Sequence, residues 1–487
     1  MRILTTVFLF ALALGPMAAR AAPTAGGAPA RVRAFQTRAE PWTGDFEGML
    51  ERRTIRVLVP YSRTLYFNDR GTERGLTADI VREFERWLNK KHRKQLKNRP
   101  ITVLMTPTTR DRLLTGVASG LGDIAVGNLT VTEERLRLVH FETDPDYPTV
   151  KEIVVTGPGA PGISVAEDLA GRTVHVRRAS SYFESLAALN ERLAAAGSPR
   201  MNVVAIPDAL EDEDVLELVD VGLLDVIVVD DWKARMWAPL LPRIELHEQA
   251  VVRDGGAVGW AMRKDCPRLH AEIAEFMKRV VTKTLVASIV HRDARYRLRN
   301  PTEAAERHRF ETLMVLFEKY GRMYRFDPLM LAAQGYQESR LDQNVRSRVG
   351  AIGVMQVMPA TGKELRVGDI RLPEANIHAG TKYLDQLMTR YFSDADFDDT
   401  NRTLFAFASY NAGPANIARM RTLAAQRGFD PNQWFNHVEV VTARRIGLET
   451  TTYVRNVFKY YVAYKLMDET RQAAVRAREQ IGESRAQ

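Results

Sequence analysis

Glu338 is the residue of this sequence best placed to do acid chemistry. It lies in the segment Gln-Glu-Ser-Arg at the end of an apolar helical stretch, and a glycine-rich run with one amide side chain, Gln356, follows over residues 350–359. Burial among apolar side chains disfavours the charged form of a carboxyl group, so such an acid keeps its proton near neutral pH. A protonated carboxyl group can protonate a glycosidic oxygen, which leaves poorly without that proton.

A second carboxyl group decides how a glycosidic bond is broken. Hydrolases commonly use one to activate water or to form a glycosyl-enzyme. Asp342 is the nearest candidate, because four positions along a helix correspond to about one turn, but an Asp here can also face solvent or cap the loop. Without a second acid, the reaction that fits is intramolecular.

The elements that must position Glu338 are helical. Asp327-Pro328 has the pattern of a helix start, with an acid at the N-cap and Pro in the first turn. Apolar residues then recur at helical spacing. The sequence predicts an all-α domain over residues 310–466 and a polar tail over residues 467–487.

Upstream of this domain, strand-like and helical runs alternate. The alternation extends from Ile55 to the region near residue 285 and predicts an α/β domain with a mostly parallel sheet over residues 51–288. A strongly charged stretch around Asn300-Pro301 follows, so residues 289–309 are expected to form the linker.

The first residues have the pattern of a secretory signal peptide. Arg2 precedes an apolar run, and Ala19-Arg20-Ala21 supplies a small-x-small cleavage pattern, which predicts removal of residues 1–21. The alternative, a membrane anchor, is disfavoured because the run is shorter than the ~20 residues that a span needs. Residues 22–50, rich in Ala, Gly and Pro, are expected to be a flexible leader.

The amino-acid composition limits the classes of binding partner that can be expected. The 487 residues carry a formal charge of +9 and one cysteine, Cys266, which excludes an internal disulfide. The mild basic excess suits a polyanion such as a carboxylate-bearing cell-wall polymer, although a generic basic surface explains it as well. We find no helix-turn-helix, zinc-finger or aromatic-basic RNA motif, so no nucleic-acid partner is expected.

Four separated motifs of the helical region carry a family resemblance. They are Glu338-Ser339, the run Gly-Ala-Ile-Gly-Val-Met-Gln-Val-Met-Pro over 350–359, Ala-Ser-Tyr-Asn-Ala-Gly over 408–413, and Glu-Thr-Thr-Thr-Tyr-Val over 449–454. Together and in this order they resemble the soluble-lytic-transglycosylase domain, which has a goose-lysozyme-like fold.

The resemblance implies roles for particular residues. Glu338 is implied as the catalytic acid, and the positions implied to line the glycan groove are Ser347, Met355, Gln356, Tyr410, Asn411, Glu449 and Tyr453. The chain departs from the family pattern at Gln343, where Pro is usual, and at Val354, where Leu is usual. These departures bear on the loop geometry and not on the acid.

The implied reaction uses no water. The N-acetyl group of N-acetylmuramic acid (MurNAc) would stabilise the developing cation, and Glu338, once deprotonated, would take the proton of the C6 hydroxyl. The product is a 1,6-anhydro sugar. No cofactor and no metal are expected, since the sequence has no His/Glu metal-binding helix motif and no nucleophile elbow.

The α/β region resembles a solute-binding domain of the amino-acid-binding type. The resemblance rests on residues 123–141, 168–174 and 224–230, and it implies two lobes joined by crossover strands. A ligand carboxylate would be held by Thr130 and Arg135, hydroxyls would come from Ser180 and Ser181, and an ammonium group would meet Asp230. The chain reads Val-Pro-Tyr after its first strand, where many relatives place an acid, which argues against a free amino acid as ligand.

Both resemblances in this order match the membrane-bound lytic murein transglycosylase F family. The predicted fold is therefore an α/β two-lobe periplasmic binding domain followed by an all-α lysozyme-like domain. The implied function is cleavage of the β-1,4 bond between MurNAc and N-acetylglucosamine (GlcNAc) in peptidoglycan glycan strands, regulated by a muropeptide or amino-acid ligand. The implied location is the periplasm, peripherally on the inner face of the outer membrane. The alternatives are a muramidase that hydrolyses the same bond and a non-catalytic receptor for wall fragments.

Overall fold

A computed structural model describes residues 41–69, 71–143, 149–160, 162–281 and 304–484. The expected signal peptide, most of the expected leader and most of the expected linker lie outside these residues. Within them, no helix is both long enough and apolar enough to span a membrane.

The strands lie between residues 54 and 262. In chain order they are β1 (Thr54–Pro60), β2 (Phe67–Asp69), β3 (Thr72–Arg74), β4 (Thr102–Thr108), β5 (Ile124–Thr130), β6 (His140–Thr143), β7 (Val150–Thr156), β8 (Thr173–Arg177), β9 (Asn202–Ile206), β10 (Val226–Asp230), β11 (Glu245–Gly256) and β12 (Val258–Met262).

The helices of the α/β region are α1 (Phe46–Arg52), α2 (Leu76–Lys91), α3 (Arg93–Leu96), α4 (Arg110–Ala118), α5 (Glu133–Leu138), α6 (Ser181–Ala195), α7 (Asp212–Asp220), α8 (Asp231–Trp237) and α9 (Pro267–Phe276). Those of the second region are α10 (Ala304–Tyr324), α11 (Pro328–Ser339), α12 (Pro359–Leu365), α13 (Pro373–Tyr391), α14 (Asp399–Ala412), α15 (Pro414–Gln426), α16 (Glu439–Arg445) and α17 (Leu448–Ser484).

Two five-stranded sheets form the two lobes of the α/β domain. The first has the order β4-β1-β5-β12-β6 and the second the order β11-β7-β10-β8-β9. β1 runs parallel to β4 and β5, and β12 runs antiparallel to β5 and β6. The chain passes to the second lobe at β7 and returns from β11 to β12, so the predicted two-lobe fold is confirmed.

The second region is helical, as predicted. α11 lies at its centre and packs against α10 and α17. Leu331, Ala332 and Ala333 in α11 have no exposed surface, and neither does Phe317 of α10. Apolar residues at helical spacing thus form the core, and Glu338 projects from the end of its central helix.

Three boundaries differ from the sequence expectation. α1 begins inside the expected leader, because Phe46, Met49 and Leu50 are buried and Asp45 caps the helix. α10 begins inside the expected linker at Ala304, and α17 continues through the expected tail to Ser484. The tail is rich in Ala, Arg, Glu and Gln, which are strong helix formers, so a polar composition there did not mean an absence of helix.

Candidate active site

Glu338 lies in the last turn of α11. Asp327 caps the start of this helix by accepting hydrogen bonds from two amides of its first turn, and Pro328 occupies the first helical position. The helix stops at Arg340, whose φ is 59°. Glu338 is therefore partly exposed at the end of a helix that is otherwise mostly buried.

A tyrosine from another helix holds the Glu338 carboxyl group. Tyr453 Oη, on α17, donates a hydrogen bond to Glu338 Oε1 over 2.6 Å. Gln334, one turn before Glu338 on α11, donates to Tyr453 Oη over 3.4 Å. Burial raises the pKa of Glu338 to about 7, and the hydrogen bond from Tyr453 opposes part of this rise. An acid with this pKa can release a proton in one step and accept one in the next.

Tyr410 adds a second phenol beside the acid. Its Oη donates to the backbone oxygen of Met355 over 2.6 Å. Burial, and then the charge of Glu338, raise the pKa of Tyr410 well above its usual range. Tyr410 therefore stays a neutral hydrogen-bond donor, and it ties α14 to the loop that faces Glu338.

Two amide side chains hold that loop in place. Gln343 Oε1 accepts a hydrogen bond from Val354 N over 3.2 Å, and Asn376 Oδ1 accepts one from Met355 N over 2.8 Å. Gly353 has a φ of 76°, and a Cβ on it would lie 2.5 Å from Gln343 Nε2. The two departures from the family pattern, at Gln343 and Val354, thus contact each other.

The side chain of Met355, which was expected to line the groove, is buried in this structure, and its contact with a glycan stays a prediction. Its side chain is 0% exposed, and a Cβ on Gly380 would lie 2.7 Å from Met355 Cβ. The flexible, apolar methionine fills the space that the glycine leaves open. Met355 contributes its backbone to the site through the contacts with Asn376 and Tyr410.

Ser347 and Gln356 bind their own loop. Ser347 Oγ accepts a hydrogen bond from Ala351 N over 2.9 Å. Gln356 Nε2 donates to Val345 O over 3.3 Å and to Gly353 O over 2.9 Å. Both side chains stabilise the turn, and contact of either with a glycan stays a prediction.

Asn411 and Glu449 are exposed at helix ends. Asn411 is next to Tyr410 at the end of α14, and Glu449 is in the first turn of α17, four residues before Tyr453. Residues four apart on a helix share a face, so Glu449 lies on the same side of α17 as the tyrosine that binds Glu338. Their roles in binding substrate stay predictions.

Asp342 has the ordinary role of a turn residue. Its Oδ1 accepts a hydrogen bond from Asn344 N over 2.9 Å. Reasoning from the sequence did not assign roles to Gln334 and Asn376. Gln334 carried a usable signal, because it is four residues before Glu338 and so shares its helix face.

The five residues expected to bind a ligand in the α/β domain lie together. Thr130, Arg135, Ser180, Ser181 and Asp230 line one cleft between the lobes. Ser181 Oγ donates to Thr130 Oγ1 over 3.3 Å and joins the second lobe to the first. Their role as ligand contacts stays a prediction.

The charged side chains of this cleft form hydrogen bonds and ion pairs with other side chains of the protein. Arg135 Nε donates to Glu184 Oε1 over 3.0 Å. Lys233 Nζ lies 2.9 Å from Asp230 Oδ2, which also accepts from Asn128 over 2.6 Å. The remaining space of about 30 Å³ is large enough for about two water molecules and too small for an amino acid. A ligand that binds Arg135 and Asp230 would have to replace the contacts of these two side chains with Glu184 and Lys233.

A buried ion-pair network joins this cleft to the helical domain through α7. Asp212, at the start of α7, lies 2.5 Å from Lys233 in the cleft. Farther along the same helix, Asp214 and Glu217 lie 3.2 Å and 2.8 Å from Nζ of Lys459 on α17. One short acidic helix thus contacts both the cleft and α17, the helix that carries Tyr453.

Arg455 extends the network. Its Nη1 donates to the backbone oxygen of Ala209 over 3.0 Å, and its Nε donates to Glu439 Oε1 over 2.5 Å. Burial alone would raise the pKa of Asp214, but nearby Lys459 and other cations hold it below its usual range. α17 therefore faces the α/β domain with buried cations and faces Glu338 with a tyrosine.

Comparison with known proteins covers both domains. The model described as "Transglycosylase SLT domain" matches residues 315–433, and the model "Bacterial extracellular solute-binding proteins, family 3" matches residues 55–292. The membrane-bound lytic murein transglycosylase F of Desulfosudis oleivorans is 28% identical over 428 residues, which cover 84% of this chain and 89% of the relative.

Other relatives agree in name. The membrane-bound lytic murein transglycosylase F of Ectopseudomonas mendocina is 26% identical and covers 87% of this chain and 86% of its own length. Among solved structures, an ancestral arginine-binding protein bound to arginine is 22% identical, with a TM-score of 0.39 over 48% of this chain and 94% of that chain.

The family models match the two regions in the order in which the two folds occur, and the named relatives align along both. This chain therefore carries a family 3 solute-binding domain followed by a Transglycosylase SLT domain, and along most of its length it is similar to proteins named membrane-bound lytic murein transglycosylase F.

Proposed function

We propose that this protein cleaves the β-1,4 bond between MurNAc and GlcNAc in peptidoglycan, with Glu338 as both acid and base. The reaction is lytic transglycosylation, a lyase reaction that leaves a 1,6-anhydroMurNAc end. The observation that carries the proposal is the Glu338 carboxyl group, which Tyr453 binds over 2.6 Å and whose pKa burial raises to about 7. Substrate contacts are proposed for Gln356, Tyr410, Asn411 and Glu449.

The two chemical steps use one carboxyl group in its two protonation states. First, protonated Glu338 gives its proton to the glycosidic oxygen, the C1–O bond breaks, and the bonding electrons leave with O4 of GlcNAc. The N-acetyl oxygen of MurNAc stabilises the cation at C1. Then the Glu338 carboxylate takes the proton of the C6 hydroxyl while O6 bonds to C1. The carboxyl group is again protonated, and no water is consumed.

The positions of the other carboxylates favour this reaction over hydrolysis. A hydrolase commonly needs a second acid to hold water or to bond to the sugar. Asp342 caps a turn through Asn344, and among the residues that the structure describes, no second carboxylate contacts Glu338. A non-catalytic receptor would not need a carboxyl group whose pKa burial raises to about 7.

Product mass tests the proposal. The chain from residue 22 and its Glu338→Gln variant are incubated with purified peptidoglycan, and the released muropeptides are weighed by mass spectrometry. We expect products one water lighter than reducing-end sugars, and a rate at least ~10²- to 10⁴-fold lower in the variant. Reducing ends would instead identify a muramidase, and no release from either protein would favour the receptor.

For the α/β domain we propose binding of a muropeptide or amino-acid ligand that carries a carboxylate. An arginine fork is suited to such a group, and Arg135 is held in the cleft by Glu184 over 3.0 Å. Ligand binding would exchange the internal ion pairs of the cleft for contacts with the ligand. α7 connects this exchange to α17, so differential affinity for two arrangements would change the activity of Glu338.

Ligand control can be tested with the intact chain. Muropeptides and amino acids are titrated while binding and turnover are recorded on the same sample, with Arg135→Ala as the variant that loses the carboxylate contact. We expect turnover to change with saturation of the cleft. Demonstrated binding with unchanged turnover would show that the domain binds without regulating.

The proposed location is the periplasm, peripherally on the membrane. It rests on the pattern of residues 1–21 and on relatives that are named membrane-bound. Fractionation of cells that express the full chain tests it, since a peripheral protein is released from membranes by high salt. Retention after a salt wash would indicate a firmer anchor.

A further inference from the structure

Two histidines and a glutamate meet on the first lobe, away from the cleft and from Glu338. His140 and Glu142 lie two residues apart on β6, the edge strand of the first sheet, so their side chains share one face of the sheet. His270 reaches them from α9. The three ligand-type atoms, one from each side chain, all lie within 4.8 Å of one another.

The three side chains converge through their lone-pair atoms. Nε2 of His140 lies 2.6 Å from Nε2 of His270, and Glu142 Oε2 is in close contact with the same His270 nitrogen. His270 Nε2 therefore has two partners. If it carries a proton for Glu142, it cannot also accept one from His140, and if it carries none, it faces a carboxylate. A single cation between the three atoms satisfies all of them.

The distances suit a small divalent ion. A tetrahedral zinc ion with bonds of ~2.0–2.2 Å separates neighbouring ligand atoms by about 3.3 to 3.6 Å. The two nitrogens are 2.6 Å apart, and His140 Nε2 is 4.0 Å from Glu142 Oε2. To reach this separation, the His140–His270 pair and the close Glu142–His270 pair would have to open, and the His140–Glu142 pair would have to close. Changes of side-chain torsion angle can produce such movements.

We propose that His140, Glu142 and His270 bind a divalent transition-metal ion, with zinc as the best match. Two imidazoles and one carboxylate form a borderline ligand set that favours zinc over calcium or magnesium, which prefer oxygen alone. The glutamate is only 17% exposed, and the histidines are about two-fifths exposed, at 41% and 37%. The remaining coordination positions are therefore open to water.

The bound ion would fasten α9 to the edge strand. α9 is the last α-helix described before residue 282, where the described part of the α/β domain ends. The cross-link joins positions 130 residues apart, which makes it a long-range constraint. The inference departs from the sequence expectation of no metal, because that expectation rested on the lack of local motifs and this set is assembled by the fold.

Zinc binding to the whole protein tests the proposal. The chain from residue 22 is purified without a histidine tag, stripped with a chelator and titrated calorimetrically with zinc chloride. His270→Ala and Glu142→Gln are compared with His92→Ala, a matched control in which Nε2 is 3.0 Å from Glu272 Oε2 without a second imidazole. Circular dichroism checks the folding of each variant. Cobalt(II) in place of zinc gives a visible spectrum that reports the ligand geometry.

We expect one zinc equivalent per chain in the wild type and in His92→Ala. Each ligand variant should bind zinc at least ~10- to 100-fold more weakly than the wild type, because changes to outer-shell residues alone already have an effect of this size. Zinc at a hundredfold excess over its dissociation constant should raise the melting temperature by roughly 5 °C or more in the wild type and not in the ligand variants. A wild type that binds no zinc, or ligand variants that bind as tightly as His92→Ala, would overturn the proposal.

Discussion

Tyr453 Oη and Glu338 Oε1 lie 2.6 Å apart, although the two residues are 115 positions apart in the sequence. The contact stabilises the charged form of the carboxyl group, while burial stabilises the neutral form. The balance leaves the pKa of Glu338 at about 7. The acid is therefore poised between its two states at the pH where peptidoglycan cleavage would need both.

Glu338 should reduce stability as the pH rises. Its pKa is about 7 in the folded protein, against an ordinary value of 4.5, so folding favours the protonated form. The penalty is small near pH 5 and reaches about 3 kcal/mol at pH 8. Urea unfolding should show that the free energy of unfolding of Glu338→Gln, relative to that of the wild type, increases by about 2 to 3 kcal/mol between these pH values. The same stability difference at both pH values would contradict the raised pKa of Glu338.

Tyr453→Phe should move the pH profile. Loss of the hydrogen bond removes a contact that lowers the pKa of Glu338, so this pKa should rise and the alkaline limb of kcat/KM should shift to higher pH. The rate should also fall, by up to ~10²-fold, because the carboxyl group loses the contact that orients it. Tyr391→Phe, at an exposed tyrosine at the end of α13, is the control and should leave the profile in place. A lower rate with an unmoved alkaline limb would mean that Tyr453 does not set this pKa.

Gly380→Ala should destabilise the helical domain. The new methyl group would lie 2.7 Å from Cβ of Met355, and overpacking of this kind costs about 1 to 3 kcal/mol. It should also slow catalysis, because Met355 O positions Tyr410. Gly162→Ala is the control, since a Cβ there meets nothing within 4 Å and the change should stay within ~1 kcal/mol. Thermal unfolding and turnover of both variants check the prediction.

The ion pair between Lys459 and Glu217 should contribute more than a surface pair. A double-mutant cycle with Lys459→Ala and Glu217→Ala should give a coupling energy above about 1 kcal/mol, since both side chains are buried. The control cycle uses Arg200 and Glu191, which are 2.7 Å apart but 55% and 71% exposed, and should give below about 1 kcal/mol. Equal couplings would mean that the contact between the domains is loose.

Local patterns predicted the order of the two folds, because helical spacing and strand alternation are short-range properties of the chain. They also singled out Glu338 as the candidate acid, a role that stays a prediction. The side-chain direction of Met355 could not be predicted, since an apolar residue in a loop suits a groove and a core equally well. Lys459 and Asp214 are 245 positions apart, and nothing local in either segment indicates the other. The same holds for His140 and His270, whose convergence depends on the packing of α9 against β6.

The part of α17 between residues 451 and 460 contains no exposed position. Tyr453 binds the acid, Val454 and Val457 have no exposed surface, and Arg455 and Lys459 pair with acids. In a population of random variants selected for activity, this stretch should therefore tolerate fewer exchanges than solvent-exposed helical stretches of its length. A substitution here has to be compatible with several packed side chains at once. The amino-acid sequence of this part of the helix should therefore change less than that of the surfaces around it.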